Sequence, residues 1–328
     1  MSPAVKAPPW PFGTRGKLRP LPTTTVTTLT GQTVAYDIPK AGILGAIWLV
    51  ITGTLTGTPS TPNALGMANL ITRVRLNANT GLSLIDISGV GYHYLLRDML
   101  GTLVDPVPQA SARNAAESGT FDLSMYFPIF VNDRDPTGMI MLQNEDTQLR
   151  LEVQVAPVTA LANDFSALSL TVAPELEVFS VPVKQESWPP FEYAHTITEE
   201  AQTIAGAGQV NYNWPRGGIY AQVIHGIGIG AAGADAYSQY QLRVNQSDYI
   251  IDATPAVLTR IFSTYRGRTR LGGVIPVDFL SMSGLGNFGS GRDLLDSRQL
   301  TDIQSVITAT SAVTLRTVKR QLFPLSEG

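Results

Sequence analysis

The stretch GQTVAYDIPKAGILGAIWLVI, Gly31 to Ile51, returns later in the chain as GQVNYNWPRGGIYAQVIHGI, Gly208 to Ile227, once one residue is gapped. Identities fall at Gly31/Gly208, Gln32/Gln209, Val34/Val210, Tyr36/Tyr212, Pro39/Pro215, Gly42/Gly218, Ile43/Ile219 and Ile51/Ile227. Ordinary residue frequencies would give only on the order of one or two over such a length. The echo continues in order: Arg75 answers Arg243, Ile85-Asp86 answers Ile251-Asp252, and Pro128 answers Pro276. The spacing between copies shrinks along the chain, as expected when loops absorb the length changes between matched core segments. One domain is therefore expected twice, and the period is far too long for a solenoid repeat.

A chain of 328 residues with 44% apolar content has room for two cored domains. Only 15% of residues are charged, while Gly and Pro are plentiful, a composition of strands and turns. The net charge of −3 gives no general drive toward nucleic acid, so sequence-specific nucleic-acid binding is not expected. With no cysteine there is no disulfide framework, thiolate metal site or thiol nucleophile. The start lacks the apolar core of a signal peptide. The longest apolar run, Ala41 to Gly53, is short of the roughly 20 residues of a membrane helix and reads as a buried strand.

Residues 1–22 hold six prolines with Lys6, Arg15, Lys17 and Arg19 and no acid, forming an extended basic arm. Proline lacks a backbone donor and fixes φ, so this arm does not join a sheet interior. Two readings stay open for it: a disordered tail, or a segment ordered by a neighbouring molecule or by lipid. Eight β-rich runs follow in 23–184: Thr24–Thr30, Gln32–Ile38, Ile43–Leu55, Leu70–Leu76, Gly119–Val131, Met139–Leu142, Gln148–Val155 and Ala167–Val183. Seven more lie in 185–328, after a junction at Lys184–Pro190. One helix interrupts each half at the matching place. In Ser88–Leu100, Ser88 caps and Tyr92, Leu95, Leu96 and Met99 form an apolar stripe; in Thr254–Tyr265, Thr254 caps, Pro255 starts the helix, and Leu258, Ile261, Phe262 and Tyr265 line one face. Both stripes are expected to pack into the core.

Signals for chemistry are weak. Gly284-Leu285-Gly286-Asn287-Phe288-Gly289 fits G-x-G-x-x-G, but no βαβ unit surrounds it. Asp133 to Gly138 resembles the start of a calcium loop, yet Asn144 stands where the closing bidentate acid belongs. His93, His195 and His225 form no spaced metal pair, and His225 inside a strand reads as a packed imidazole. No G-x-S-x-G elbow supports a Ser/His/Asp triad. Glu199 and Glu200 are adjacent and point to opposite faces of a strand, which prevents acid/base cooperation. Arg260, Arg266, Arg268 and Arg270 read as a solvated face, or as partners for acids on another subunit. Asn245-Gln246-Ser247 matches a glycosylation acceptor without a secretion signal to support it. No catalytic residue, cofactor or metal is expected, and the chain is not read as an enzyme.

The strand runs suit a sandwich or a jelly roll, in two tandem copies each with one short helix and preceded by the arm. In this architecture the chain resembles the double jelly-roll major capsid proteins of tailless icosahedral viruses, including lipid-containing bacteriophages. The resemblance makes the expected fold class all-β, two tandem eight-stranded jelly-roll barrels. The resemblance implies a homotrimer whose six barrels occupy a hexagonal lattice position, with neighbouring capsomers, other capsid or vertex proteins and an internal membrane as partners. It places the protein in the virion after synthesis in the host cytoplasm. It makes Arg15, Lys17 and Arg19 candidates for contacting anionic lipid or adjacent subunits, and Trp10 and Phe12 candidates for an interfacial anchor. The loops around Thr54–Met67 and Gly101–Gly119 become candidates for outward towers. The competing readings are a tandem β-sandwich that binds or cleaves glycans, which calls for exposed aromatics near paired carboxylates, and another virion component such as a spike.

Overall fold

The structure, a computed structural model, describes residues 16–58, 63–79, 81–100, 110–131, 137–143, 147–162, 164–180, 192–230, 234–246, 248–280 and 294–325. Trp10, Phe12 and Arg15, the Asp133–Pro136 part of the calcium-like loop with Asn144, Ser247, the Gly284–Gly289 motif and the Lys184–Pro190 junction lie outside these residues.

The first half carries β1 (Gly16–Pro20), β2 (Thr24–Val26), β3 (Gln32–Asp37), β4 (Ile43–Gly57), β5 (Ile71–Ala78), β6 (Leu82–Ile87), β7 (Gly119–Asp122), β8 (Met125–Pro128), β9 (Ile140–Met141), β10 (Leu149–Val155) and β11 (Phe165–Phe179). The second carries β12 (Tyr193–Ile204), β13 (Gly208–Asn213), β14 (Ile219–Ile227), β15 (Tyr237–Val244), β16 (Asp248–Ala253), β17 (Val274–Asp278), β18 (Leu295–Asp296), β19 (Ile303–Ala309) and β20 (Val313–Pro324). Interrupted strands share a position: β1 with β2, β7 with β8 and β9, and β17 with β18. Each half thus fills eight positions in two facing sheets with the same order. One sheet runs β1/β2-β11-β4-β7/β8/β9, answered by β12-β20-β14-β17/β18; the other runs β3-β10-β5-β6, answered by β13-β19-β15-β16. These are two jelly rolls.

The duplication is visible in the register. Tyr36, Leu151, Leu76 and Ile85 form a row across one sheet, and Tyr212, Ser305, Leu242 and Ile251 form the same row in the other barrel. Even the bulges coincide: Gly45 and Ala221 are skipped in β4 and β14, Leu84 and Ile250 in β6 and β16. By this register Asp86 and Asp252 correspond, but the counterpart of Arg75 is Gln241 rather than Arg243, and that of Pro128 is Asp278 rather than Pro276. Both slips are of two residues, which keeps every side chain on its face and so leaves the hydrophobic pattern intact.

Three expectations change. The run Gly119–Val131 is two strands, because Ser124 turns its hydroxyl onto the Ile51 N–H at 3.2 Å and its own N–H onto Asp122 at 2.8 Å. Part of the arm is a strand: β1 lies at a sheet edge in antiparallel register with β11, where Pro20 costs no ladder bond in the interior. The first helix is a π-turn over Gly91–Leu96 followed by a 3₁₀ turn over Arg97–Met99, with Ser88 Oγ accepting from the Gly91 N–H at 2.9 Å. A single α-turn, α1 (Ala110–Arg113), follows it, and the second half has a regular helix, α2 (Pro255–Arg266), entered through Pro255 and closed by Gly267 at φ 65°. Thr254 holds the N-cap place of α2 without a side-chain cap bond.

The two cores differ in kind. The first is filled by aliphatic and aromatic side chains; at the corresponding places the second has His225 for Leu49, Ser305 for Leu151, Tyr240 for Val74 and Trp214 for Ile38. His225 is fully buried, its ring nitrogens 2.9 Å from Thr317 Oγ1 and 2.8 Å from Ser305 Oγ. Trp214 Nε1 donates to Ser305 Oγ at 2.8 Å, and Tyr240 Oη lies 3.0 Å from the same oxygen. Burial pushes His225 down to about 3, so the folded chain keeps this imidazole neutral. An unfolded chain takes up that proton below about pH 6.5, so stability falls with pH from there until the folded chain also protonates. Denaturant titrations between pH 6.5 and 4 are therefore expected to show a component of about 1.4 kcal/mol per pH unit that His225→Gln removes.

Candidate assembly surfaces

Strand β6, at the edge of the first barrel, pairs in parallel with β12, at the edge of the second: Ile85 stands opposite Ile197 and Asp86 opposite Thr198. The pairing fuses one sheet of each barrel into a single nine-stranded sheet. It also turns the outer face of β12, β20 and β14 toward the first barrel. Outer-face residues of a solvated sheet are polar, but here Ile197, Val318 and Ile224 are buried and belong to the core of the first barrel. Leu95 of the π-turn packs on Gly226, where an added Cβ would come within 2.6 Å of the leucine.

Polar groups seal both ends of this seam. At one end Glu199 accepts from the Ser88 N–H at 2.7 Å and from Arg316 at 2.8 Å, putting a carboxylate at the start of the π-turn, where free N–H groups attract negative charge. On the opposite face of β12, Glu200 binds Lys319 and accepts from Tyr212 Oη at 2.6 Å. Burial would raise the Glu200 carboxyl, but these two hydrogen bonds outweigh it and hold it below the usual range. The two glutamates thus serve opposite faces, as their adjacency dictates.

At the other end Arg320 is fully buried. It donates to Gln222 Oε1 at 2.8 Å and to the Val131 carbonyl of the first barrel at 3.0 Å, with His195 Nε2 at 3.4 Å. Burial pushes the guanidinium down to about 10, which leaves it charged at neutral pH. Gln222 in turn donates to Asp278 at 2.9 Å and reaches the Met99 carbonyl at 3.5 Å, while Asp278 binds Arg266. His195, whose Nδ1 is 3.1 Å from the Ile129 carbonyl, is held well below its ordinary value by burial and by Arg320. Sequence reasoning missed this network. Its signal is Gln222 and Arg320, polar residues in line with the buried Ile224 and Val318 on one strand face, which only a second packed surface accommodates.

Lys17 and Arg19, two of the residues singled out from sequence, are exposed on β1; Trp10, Phe12 and Arg15 lie outside the described residues. The arginine cluster divides. Arg270 is buried, gripping Asp235 at 2.9 Å and the Val274 carbonyl at 2.6 Å, and Arg266 faces Asp278, whereas Arg260 is exposed. The helix stripes also part company: Leu95 is buried, but its counterpart in α2, Ile261, is 44% exposed. The first helix has the second barrel over it, and α2 has no such cover among the described residues. Among the described residues, no three metal-ligating side chains stand together, and no helix is long and apolar enough to cross a membrane.

No family model and no curated protein matches the chain. Solved structures do. The major capsid protein of the Sulfolobus turreted icosahedral virus is 14% identical with a TM-score of 0.66, over 94% of this chain and 97% of that one. The PBCV-1 virus capsid is 11% identical at 0.62, over 94% of both chains. The major capsid protein of bacteriophage PM2 is 11% identical at 0.56, over 93% of this chain and 99% of that one. The fold of this chain is the double jelly roll these proteins share.

Removing the Arg320 side chain strands Gln222 and two carbonyls inside the seam. Arg320→Ala is expected to destabilise the chain by about 3–5 kcal/mol, read as a lower denaturation midpoint.

Proposed function

We propose that this chain is a structural major capsid protein, three copies of which form a pseudo-hexagonal capsomer of an icosahedral virion shell. The observation that carries this reading is the union of two equivalent barrels side by side in one sheet. Three such chains present six similar barrels around a three-fold axis, so one gene product occupies a six-fold lattice position. The whole-length likeness to the capsid proteins of three viruses, one of them named as icosahedral, supports the same assignment. A role without catalysis fits the interior: Ser305 and His225, a serine–histidine pair at hydrogen-bond distance, are both fully buried and out of reach of a substrate. The protein then acts in the virion after synthesis in the host cytoplasm. Its partners are other copies, further capsid or vertex proteins, and anionic lipid or neighbouring subunits met through the N-terminal arm by Trp10, Phe12 and Arg15 with Lys17 and Arg19.

The native mass tests the reading. The purified protein is expected at about three times 35.2 kDa and to form sheets or shells as concentration rises; a monomer that binds glycans would overturn it. Deleting residues 1–15 is expected to leave the trimer intact and to weaken flotation with vesicles containing anionic lipid. Unchanged flotation and unchanged shell assembly would remove the arm's role.

A further inference from the structure

The seam between the barrels uses one edge of each, β6 of the first and β12 of the second. Because the barrels are copies, each also has the edge its twin uses. The counterpart of β6 is β16, and the counterpart of β12 is β1. Both are open edges, β1 bonded only to β11 and β16 only to β15 among the described residues. An open strand edge presents a row of unpaired backbone donors and acceptors, a template for another chain.

The side chains at these edges are dressed for contact. Leu18, the counterpart of Ile197, is 63% exposed, whereas Ile197 is 1% exposed under the seam. Around β16, Tyr249, Ile250, Val257 and Ile261 are exposed, and α2 and β16 border an apolar groove of about 320 Å³ that reaches Met99 and Pro276. In the first barrel the equivalent surface, with Leu84, Ile85 and Leu95, is covered by the second barrel.

Charge distinguishes the two edges. Asp86 is bound by Arg73 and lies 3.7 Å from Arg75, so its charge is answered within its own barrel, and it faces the neutral Thr198. At the corresponding places beside Asp252 stand Gln239 and Gln241, which donate to its carboxylate at 2.7 and 3.1 Å but bring no positive charge. The counterpart of Thr198 is Arg19. Among the described residues no cation pairs with Asp252, and one is present on the strand that the internal seam would place opposite it.

We propose that β1 of one copy adds in parallel to β16 of a second copy, repeating the internal seam, with Leu18 against Ile251 and Arg19 against Asp252. Ile261 then packs on the outer face of β4 and β11 as Leu95 packs on β14. The contact is heterologous, head to tail, and closes into a ring when three copies complete the turn. This docking rests on the capsomer reading, and the experiment separates the two. Arg19→Asp and Asp252→Arg, both at exposed positions, are each expected to raise the trimer dissociation constant about tenfold or more, and the double substitution to restore it. Because the chain has no cysteine, Leu18→Cys combined with Ile251→Cys gives a second readout: oxidation is expected to produce a covalent trimer on a non-reducing gel. A wild-type trimer that neither charge reversal weakens and that the cysteine pair does not link overturns the docking and leaves the capsomer reading standing. A wild type that stays monomeric at every concentration overturns both.

Discussion

Everything distinctive about this molecule follows from the parallel pairing of β6 with β12. That pairing forces the outer face of one barrel to become the inner face of a shared core, so positions that are equivalent by descent live in different solvents. Ile224 and Val318 lie under the seam, and their twins Trp48 and Glu175 face outward on the first barrel. Arg320 answers Glu177, whose carboxyl is raised by partial burial. The hydrophobic term is proportional to area removed from water, so it rewards apolar side chains only where a second surface arrives. Divergence between the copies is a record of what covers each of them.

The polar ends of the seam have a different task. Glu199 with Arg316 at one end and Arg320 with Gln222 and Asp278 at the other are partnered across elements that an apolar surface alone would let slide. Parallel strands with apolar faces tolerate a register slip of two residues, and buried groups that lose their hydrogen bonds on slipping oppose it. Two barrels held in one register present their remaining edges at a fixed angle, which a closed assembly of chains requires.

Much of the fold was legible. The echo from Gly31 to Ile51 and the strand runs around it lead to two jelly rolls because period-2 patterning survives wherever one face is buried. Besides the short edge pieces Gly16–Pro20 and Leu295–Asp296, the strands left unread were Leu82–Ile87 and Asp248–Ala253, which carry one side of the seam and its open twin. Each of these two contains a bulge, at Leu84 and Ile250, which breaks the alternation that periodicity depends on. The π-turn over Gly91–Leu96 escaped for a related reason, since its stripe of Tyr92, Leu95 and Leu96 has the spacing of an ordinary helix.

The sequence by itself determined that a barrel occurs twice, that its core is β-rich, and that its N-terminal residues are basic and proline-rich, because backbone propensity and local alternation are written in neighbouring residues. Tertiary structure alone decided which edges meet, that Arg320 is buried while Arg19 is exposed, and that Leu95 is covered while Ile261 is not. The physical reason is distance along the chain: β6 and β12 are far apart in sequence, and no local pattern states which surface will exclude water from another.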